Sequence, residues 1–329
     1  MLSATNADNE IVNSACSKIH DNLPGFWRNV IPLSDCMCPN TSIIEVFTQS
    51  DGALRKEIRR AYKTIYGRRL PNEIVNALSG YYKEAVVGLC YEPREYDAYQ
   101  IRDALTACCT DHRCLIQIFA SRTNEEMSEI TEFYNKKFNT DLMDDVSDKT
   151  GGDLGRLLFS LANADREDEE SPIDQIIVEE DLKRLYNDGD GPDVITFHAV
   201  FCRRSMAHLK VVFEDYHKSF SMTIEDMIDE NASGGFRDGL MAISQCVDSR
   251  TRYFSGVLHR SMNGLGTDER TLTRTLISRS EIDLQSIRAL FDSTYNDTLF
   301  NYIRDDTSGN YRRLLLRLLD AKTAEADGY

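Results

Sequence analysis

The chain has 329 residues, 41% of them hydrophobic, and 54 acidic against 38 basic side chains give a formal net charge of −16. That much apolar material excludes wholesale disorder, and the charge excludes unaided attraction to nucleic acid or to an anionic lipid surface. The longest apolar runs fall short of the roughly eighteen residues a membrane helix needs, and nine cysteines without scaffold spacing suit a reducing, intracellular compartment.

Residues 1–19 precede any clear periodicity and read as an N-terminal tail, a candidate docking point for a protein partner. The opening MLSATNADNEIVNSACSKIH lacks the charged-then-apolar pattern of a secretory signal. From there a helical pattern recurs. EIRRAYKTIYG (57–67), EITEFYNKKFN (129–139), HLKVVFEDYHK (208–218) and SIRALFDSTYN (286–296) each carry an apolar triad at helical spacing. The triads are Ile58/Tyr62/Tyr66, Ile130/Tyr134/Phe138, Leu209/Phe213/Tyr216 and Ile287/Phe291/Tyr295, with anchors 72, 79 and 78 residues apart by subtraction. Near-equal intervals of that length mark an internal repeat.

Two further signals recur in phase. TQS (48–50), SRT (121–123), RRS (203–205) and SRS (278–280) precede the triad helices, and Thr123 with Glu126 makes a capping box. Small-residue turns then introduce SGYYKEAVVGL (79–89), GGDLGRLLFSL (151–161), SGGFRDGLMAI (233–243) and SGNYRRLLLRL (308–318). Strand-like alternation is absent. Each unit of about seventy-five residues reads as five short helices, and the chain as all-α with on the order of twenty helices. The boundaries are 20–92 for repeat 1, 93–163 for repeat 2, 175–248 for repeat 3 and 249–322 for repeat 4, with a C-terminal tail at 323–329. The acidic stretch NADREDEESPID (163–174) leaves an acidic linker, 164–174, dividing the chain into halves.

MNGLGTDE (262–269) is the loop that carries chemistry. Gly264 and Gly266 permit a sharp turn, Thr267 is the expected N-cap of the next helix, and backbone carbonyls are hard oxygen ligands suited to calcium. Carbonyls alone are too few for a calcium ion, so a carboxylate has to approach from elsewhere. Asp306 lies forty residues after Gly266, at the turn before the last helix. In isolation the same loop reads equally as a helix–helix connection without metal.

MNGLGTDERTLTRTLISRSEIDLQSIRALF, with LFNYIRDDTSGNYRRLLLRLLD, resembles the fourth repeat of an annexin, and the resemblance extends through all four repeats. It implies a curved disc of four homologous five-helix repeats. It also implies a calcium ion held by the carbonyls of Met262, Gly264 and Gly266 and the side chain of Asp306. Thr267 would offer its hydroxyl and amide to a lipid phosphate, and Leu265 would meet the bilayer interface. Arg122, Arg274, Arg279 and Asp283 match positions that line a hydrophilic passage in the family; structural ion pairs explain them equally.

The other repeats depart from that pattern. Repeat 1 has DCMCPN (35–40) for its loop and Ala77 at the acid position; repeat 2 has ACCTD (107–111) and Lys149, whose ammonium repels calcium. Repeat 3 has NDGDGPD (187–193), with Gly189 and Gly191 in the glycine positions, Asp188 and Asp190 in the loop, and neutral Asn231 in place of the acid. Those five residues read either as a weak calcium site or as an acidic surface turn without metal. The cysteines of the degenerate loops, Cys36, Cys38, Cys108 and Cys109, lack a metal-ligand spacing.

Catalytic fingerprints are missing: the six histidines do not pair as ligands, His208 is expected at a surface position, and no nucleophile elbow or nucleotide loop occurs. The expected function is calcium-dependent binding to anionic phospholipid through repeat 4, with repeat 3 assisting. The protein is expected in the cytoplasm, peripheral at membranes when calcium rises, with no nucleic-acid partner. The alternative is a protein-interaction or cytoskeletal scaffold largely independent of calcium, which the degenerate loops of repeats 1 and 2 favour.

Overall fold

The computed structural model describes residues 6–23, 39–264 and 266–320. Among these the chain forms twenty α-helices and one 3-10 turn, five helices to each repeat. Repeat 1 holds α1 (Asn6–Asn22), α2 (Pro39–Gln49), α3 (Gly52–Tyr66), α4 (Leu70–Ala77) and α5 (Gly80–Leu89). Repeat 2 holds α6 (Pro93–Thr106), α7 (His112–Ser121), α8 (Asn124–Phe138), α9 (Leu142–Lys149) and α10 (Gly152–Ala162). Repeat 3 holds α11 (Gln175–Tyr186), α12 (Val194–Phe201), α13 (Met206–Phe220), α14 (Ile224–Asn231) and α15 (Gly234–Asp248). Repeat 4 holds α16 (Arg250–Met262), α17 (Glu269–Arg279), α18 (Leu284–Thr294), α19 (Leu299–Asp306) and α20 (Gly309–Asp320). No helix among the described residues is long and apolar enough to cross a membrane.

The third helix of each repeat carries the ring pair that anchors its core. Tyr62 and Tyr66 have centroids 4.7 Å apart, Tyr134 and Phe138 4.9 Å, Tyr216 and Phe220 4.9 Å, Phe291 and Tyr295 4.6 Å. This equivalence corrects the third triad. Its register is Val212/Tyr216/Phe220, with Val212 and Tyr216 buried and Phe213 half-exposed, so the central rings stand 72, 82 and 75 residues apart by subtraction. Leu209 is also buried; the helix offers two overlapping apolar stripes, and only packing selects between them.

The cap expected at Thr123 is present. Thr123 accepts from Glu126 N at 3.2 Å while the Glu126 side chain accepts from Thr123 N at 2.9 Å, the reciprocal capping box. Thr123→Ala is therefore expected to cost about 1 kcal/mol in a denaturation experiment. Ser205 caps α13. Asp51 and Asp283 occupy the N-cap positions of α3 and α18.

The turn between the fourth and fifth helices is stereotyped. Gly80, Gly152, Gly234 and Gly309 have φ of +61°, +63°, +56° and +62°, a conformation glycine adopts without steric cost. Three residues before each stands the acid position: Ala77, Lys149, Asn231 and Asp306. All four are thus the last residues of α4, α9, α14 and α19. Asp306 therefore ends a helix and precedes, by a short turn, the last one.

The N-terminal expectation is overturned. Residues 6–22 are α1, the first helix of repeat 1, packed on α2 and α3. Ala15, Cys16, Ile19 and Leu23 are buried, Cys16 Sγ contacts the Ile58 carbonyl at 3.6 Å, and the His20 ring stacks on Tyr66 with centroids 3.9 Å apart. These apolar positions recur at helical spacing and need a partner surface, which α3 supplies.

The chain divides into two compact units. One takes the residues up to Tyr96 together with those from Phe254 onward, and the other runs Asp97–Tyr253. Repeat 1 is thus paired with repeat 4, and repeat 2 with repeat 3. In each pair the second helix of one repeat packs on the fifth of the other: α2 on α20 and α17 on α5, α7 on α15 and α12 on α10. Close approach explains Gly88 on α5, where a Cβ would fall 2.7 Å from a Tyr96 ring carbon and 2.9 Å from Ile277 Cδ1.

Ion pairs buttress both units. In the first, Arg55 bonds Glu281 at 2.6 Å and Arg279 bonds Asp283 at 2.7 Å. In the second, Arg122 grips Asp97 through two bonds of 2.8 and 2.9 Å. Asp181, fully buried, receives Arg204 Nε at 2.6 Å and His208 Nε2 at 3.0 Å, so His208 is a core residue rather than the expected surface one. The acidic linker lies inside this second unit and is strapped to it. Glu169 accepts from Met206 N and Ala207 N at 2.8 and 3.1 Å, satisfying first-turn amides of α13, and Glu167 pairs with Arg204 at 2.7 Å. It does not mark the boundary between the compact units.

Candidate metal and membrane-binding site

In repeat 4 the end of α16 and the start of α17 are held together by a backbone bond from Asp268 N to the Ser261 carbonyl, 2.8 Å. Between them the chain passes through Met262, Gly264 and Gly266. Gly266 has φ of +90°, which disfavours any side chain, and both glycines face open space. Leu265 lies outside the described residues.

The carboxylate expected from forty residues away reaches this loop. Thr267 Oγ1 donates toward the Asp306 backbone carbonyl at 3.1 Å and toward Asp306 Oδ2 at 3.0 Å. The acid is half-buried and faces the loop. This bond changes two expectations for Thr267. Its hydroxyl, offered by the resemblance to a lipid phosphate, is committed to Asp306. It is also not the N-cap of α17: Asp268 is, accepting from Thr271 N at 3.1 Å. Asp111 and Asp193 cap α7 and α12 in the same way, accepting from Cys114 N at 3.0 Å and Thr196 N at 2.7 Å. The carboxylate wins over the neighbouring hydroxyl because an ionised acceptor makes the stronger bond to helix amides.

As a donor set, the Met262, Gly264 and Gly266 carbonyls with the Asp306 carboxylate are all hard oxygens, the chemistry calcium requires. Among the described residues no backbone amide outside a helix donates to those three carbonyls. No group of three or more His, Cys, Asp or Glu side chains is gathered for a metal among the described residues. A site of carbonyls with one acid is not built from such a group.

Repeat 3 brings the corresponding residues together with different chemistry. A Cβ on Gly191 (φ +75°) would fall 2.1 Å from Asn231 Oδ1, so the asparagine side chain does reach the loop. Its amide donates to the Met227 carbonyl at 2.9 Å. The loop turns through Asn187, Asp188 and Gly189 with φ of 45°, 55° and 96°. Two of its carbonyls already accept bonds: Gly191 O from Asn187 Nδ2 at 2.9 Å, and Asn187 O from Asp190 N at 3.0 Å. Asp188 and Asp190 are exposed.

Repeat 2 keeps the frame and loses the donors. Asp111 N bonds the Ala104 carbonyl at 3.1 Å, and Thr110 Oγ1 donates to the Lys149 carbonyl at 3.1 Å, the counterparts of the two latches in repeat 4. Cys108 and Cys109, both exposed and free, occupy the loop. The juxtaposition of loop and turn is therefore built into the repeat itself, and the repeats differ in which side chains occupy it. In repeat 1, Cys36 and Cys38 lie outside the described residues. Of the residues matched to a passage, Arg122, Arg279 and Asp283 make the ion pairs described above.

Sequence reasoning missed two contributors. The Asp268 cap was legible as an aspartate three residues before Thr271, repeated as Asp111 and Asp193. The cleft beside Asp306, lined by Tyr81, Tyr82, Glu269 and Tyr311 among others, depends on repeat 1 lying against repeat 4 and had no local signal.

The family model for annexin matches residues 38–89, 96–161, 186–243 and 253–318. Annexin A4 of Homo sapiens is 39% identical over 280 residues, covering 84% of this chain and 88% of the relative. Among solved structures, annexin III superposes with a TM-score of 0.86 at 31% identity, covering 97% of this chain and 95% of that one. Chicken annexin V gives 0.84 at 32% identity, covering 94% and 95%. A sequence match in every repeat and a backbone match along nearly the whole chain lead to one conclusion: the chain belongs to the annexin family, non-catalytic proteins that bind phospholipid membranes in a calcium-dependent way.

Proposed function

We propose that repeat 4 is the principal calcium and membrane site of this chain. Met262, Gly264 and Gly266 supply carbonyls, and Asp306 supplies the single carboxylate. When bound, the calcium offers its remaining coordination positions to lipid phosphoryl oxygens. Thr267 orients Asp306, and Leu265 meets the interfacial region of the bilayer. The observation that carries this reading is the bond of 3.0 Å between Thr267 Oγ1 and Asp306 Oδ2, which aims the only acid of the set at the glycine loop. The net charge of −16 gives the ion its purpose, since the bare protein is repelled by an anionic surface. The proposed setting is the cytoplasm, with recruitment to membranes as calcium rises. Co-sedimentation with anionic vesicles over a calcium titration tests the reading. Binding should appear only with calcium and vanish on chelation; binding that persists in chelator would favour the calcium-independent scaffold instead.

Repeat 3 is proposed as a weak auxiliary site of Gly189, Gly191, Asp188, Asp190 and Asn231. The neutral amide of Asn231 lowers its affinity because calcium affinity follows the charge of its ligands. Asn231→Asp restores the missing charge and is expected to lower the calcium needed for half-maximal vesicle binding by roughly tenfold, through stronger two-point attachment. An unchanged midpoint would show that the Asn187 bond to Gly191 O, rather than the missing charge, limits the loop.

A further inference from the structure

A cleft of about 740 Å³ lies between α10 of repeat 2 and α12 of repeat 3, within the second compact unit. Gly151, Gly152 and Gly155 form part of its lining, and Phe159 and Ile195 stand 42% and 76% exposed on its walls. The α12 wall is roughly 12 Å long, eight residues at 1.5 Å each. Although the chain carries a net charge of −16, no aspartate or glutamate among the described residues lines this cleft, whereas Arg156, His198 and Arg203 do. A largely apolar concavity with a few convergent polar groups is the usual form of a small-molecule site.

The two arginines differ in how they are held. Arg203 is bonded closely to Asp165. Arg156 meets Asp153 only at 3.5 Å along one exposed turn of helix, a weak pair that leaves most of its N–H donors unused. Burial lowers the pKa of His198, opposed by Asp153 and aided by Arg156, so the imidazole is neutral at neutral pH. The same couplings place Arg156 near the ring. His198 Nδ1 lies 3.9 Å from Cys202 Sγ, whose thiol burial keeps protonated by pushing its pKa up to about 11. An S–H given to Nδ1 leaves the imidazole proton on Nε2. That nitrogen is buried with no hydrogen-bond partner among the described residues, an unmatched donor at the wall of the cleft.

We propose that this cleft binds a free amphipathic carboxylate, an unbranched fatty acid of medium length. Arg156 takes the carboxylate, and His198 turns about its side-chain bonds to donate Nε2–H to the same group. The chain lies along Phe159, Ile195 and Ala199, over the glycines. Arg203, already committed to Asp165, contributes little. A neutral alcohol of the same length keeps the apolar contact and loses the charge-assisted bonds, so it binds less well. Calcium, the repeat 4 loop and Asp306 take no part.

Calorimetric titration of the full chain in chelator, with ligands below their micelle concentrations, tests this. Decanoate should bind about tenfold more tightly than decanol, the size of one charge-assisted hydrogen bond. It should bind about fourfold more tightly than octanoate, which lacks two half-buried methylenes. Arg156→Ala should abolish most of the advantage over decanol. His198→Phe, which keeps a ring against Phe236, should remove part of it. Arg203→Ala should leave it within about twofold. Both arginines are exposed, so neither substitution should disturb folding, and far-ultraviolet dichroism of each variant checks this. Equal affinities for decanoate and decanol, an advantage that survives Arg156→Ala, or equal losses from Arg156→Ala and Arg203→Ala overturn the proposal. No measurable binding of decanoate overturns it as well, and a dimer in sedimentation would then assign the cleft to a second copy of the chain.

Discussion

Asp306→Ala is expected to raise the calcium needed for half-maximal vesicle binding by at least about a hundredfold, because it removes the one charged ligand of the set proposed for repeat 4. The three loop carbonyls remain, but neutral oxygens alone hold a divalent cation poorly against water. The loss should be functional rather than structural. Asp306 ends α19 and is only half-buried, and the Thr267 hydroxyl keeps its second acceptor, the Asp306 backbone carbonyl at 3.1 Å. The stability cost should therefore stay near 1 kcal/mol, that of one exchanged hydrogen bond. Asp306→Asn sharpens the test by keeping the shape and removing the charge, which recreates in repeat 4 the side chain that Asn231 presents in repeat 3. Lys149→Ala provides the control, since repeat 2 lacks both glycines and acid, and its calcium midpoint should not move. Retention of calcium-dependent co-sedimentation by Asp306→Ala at an unchanged midpoint would refute the assignment.

The loop and its acid were legible in the sequence because both sit at fixed phase within a repeat, so that Gly266 and Asp306 could be paired by counting from Gly191 and Asn231. Helix periodicity revealed three of the four ring anchors for the same reason. It slipped on α13, where Leu209/Phe213/Tyr216 and Val212/Tyr216/Phe220 both satisfy helical spacing; only the ring contact of Tyr216 with Phe220 decides. Small apolar residues hid α1, since Ala15 and Cys16 carry little hydrophobic signal although both are buried. The pairing of repeat 1 with repeat 4 had no local signature at all. It arises from α2 on α20 and α5 on α17, contacts between helices more than a hundred residues apart in sequence. The cleft lined by Tyr82 and Asp306 follows from that pairing and was invisible for the same reason. His208 shows the reverse error: a polar residue at a helix start reads as exposed until Asp181 is found buried beneath it.

Asp97→Ala should produce the largest stability loss in the second compact unit. Asp97 is fully buried, Arg122 is 5% exposed, and two hydrogen bonds of 2.8 and 2.9 Å join them side by side. Burial by itself disfavours the guanidinium charge, and the Asp97 carboxylate outweighs it, so Arg122 holds its proton more firmly than an ordinary arginine. Removing the carboxylate takes away the paired counter-charge of a guanidinium that is 5% exposed, while the Ser121 hydroxyl, 2.9 Å from Nη1, is neutral. Breaking a buried pair from one side typically costs about 3–5 kcal/mol, which for a unit of this size lowers the melting midpoint by roughly 10 °C. The double variant Asp97→Leu/Arg122→Met separates the stranded charge from the lost attraction. It should recover most of the loss, because the desolvation penalty disappears together with the pair. Denaturant unfolding of the three proteins checks this, with the tyrosine-rich first unit serving as an internal reference. A single variant that unfolds at the midpoint of the parent, or a double variant no more stable than the single one, would show that the pair is not what holds α6 against the end of α7.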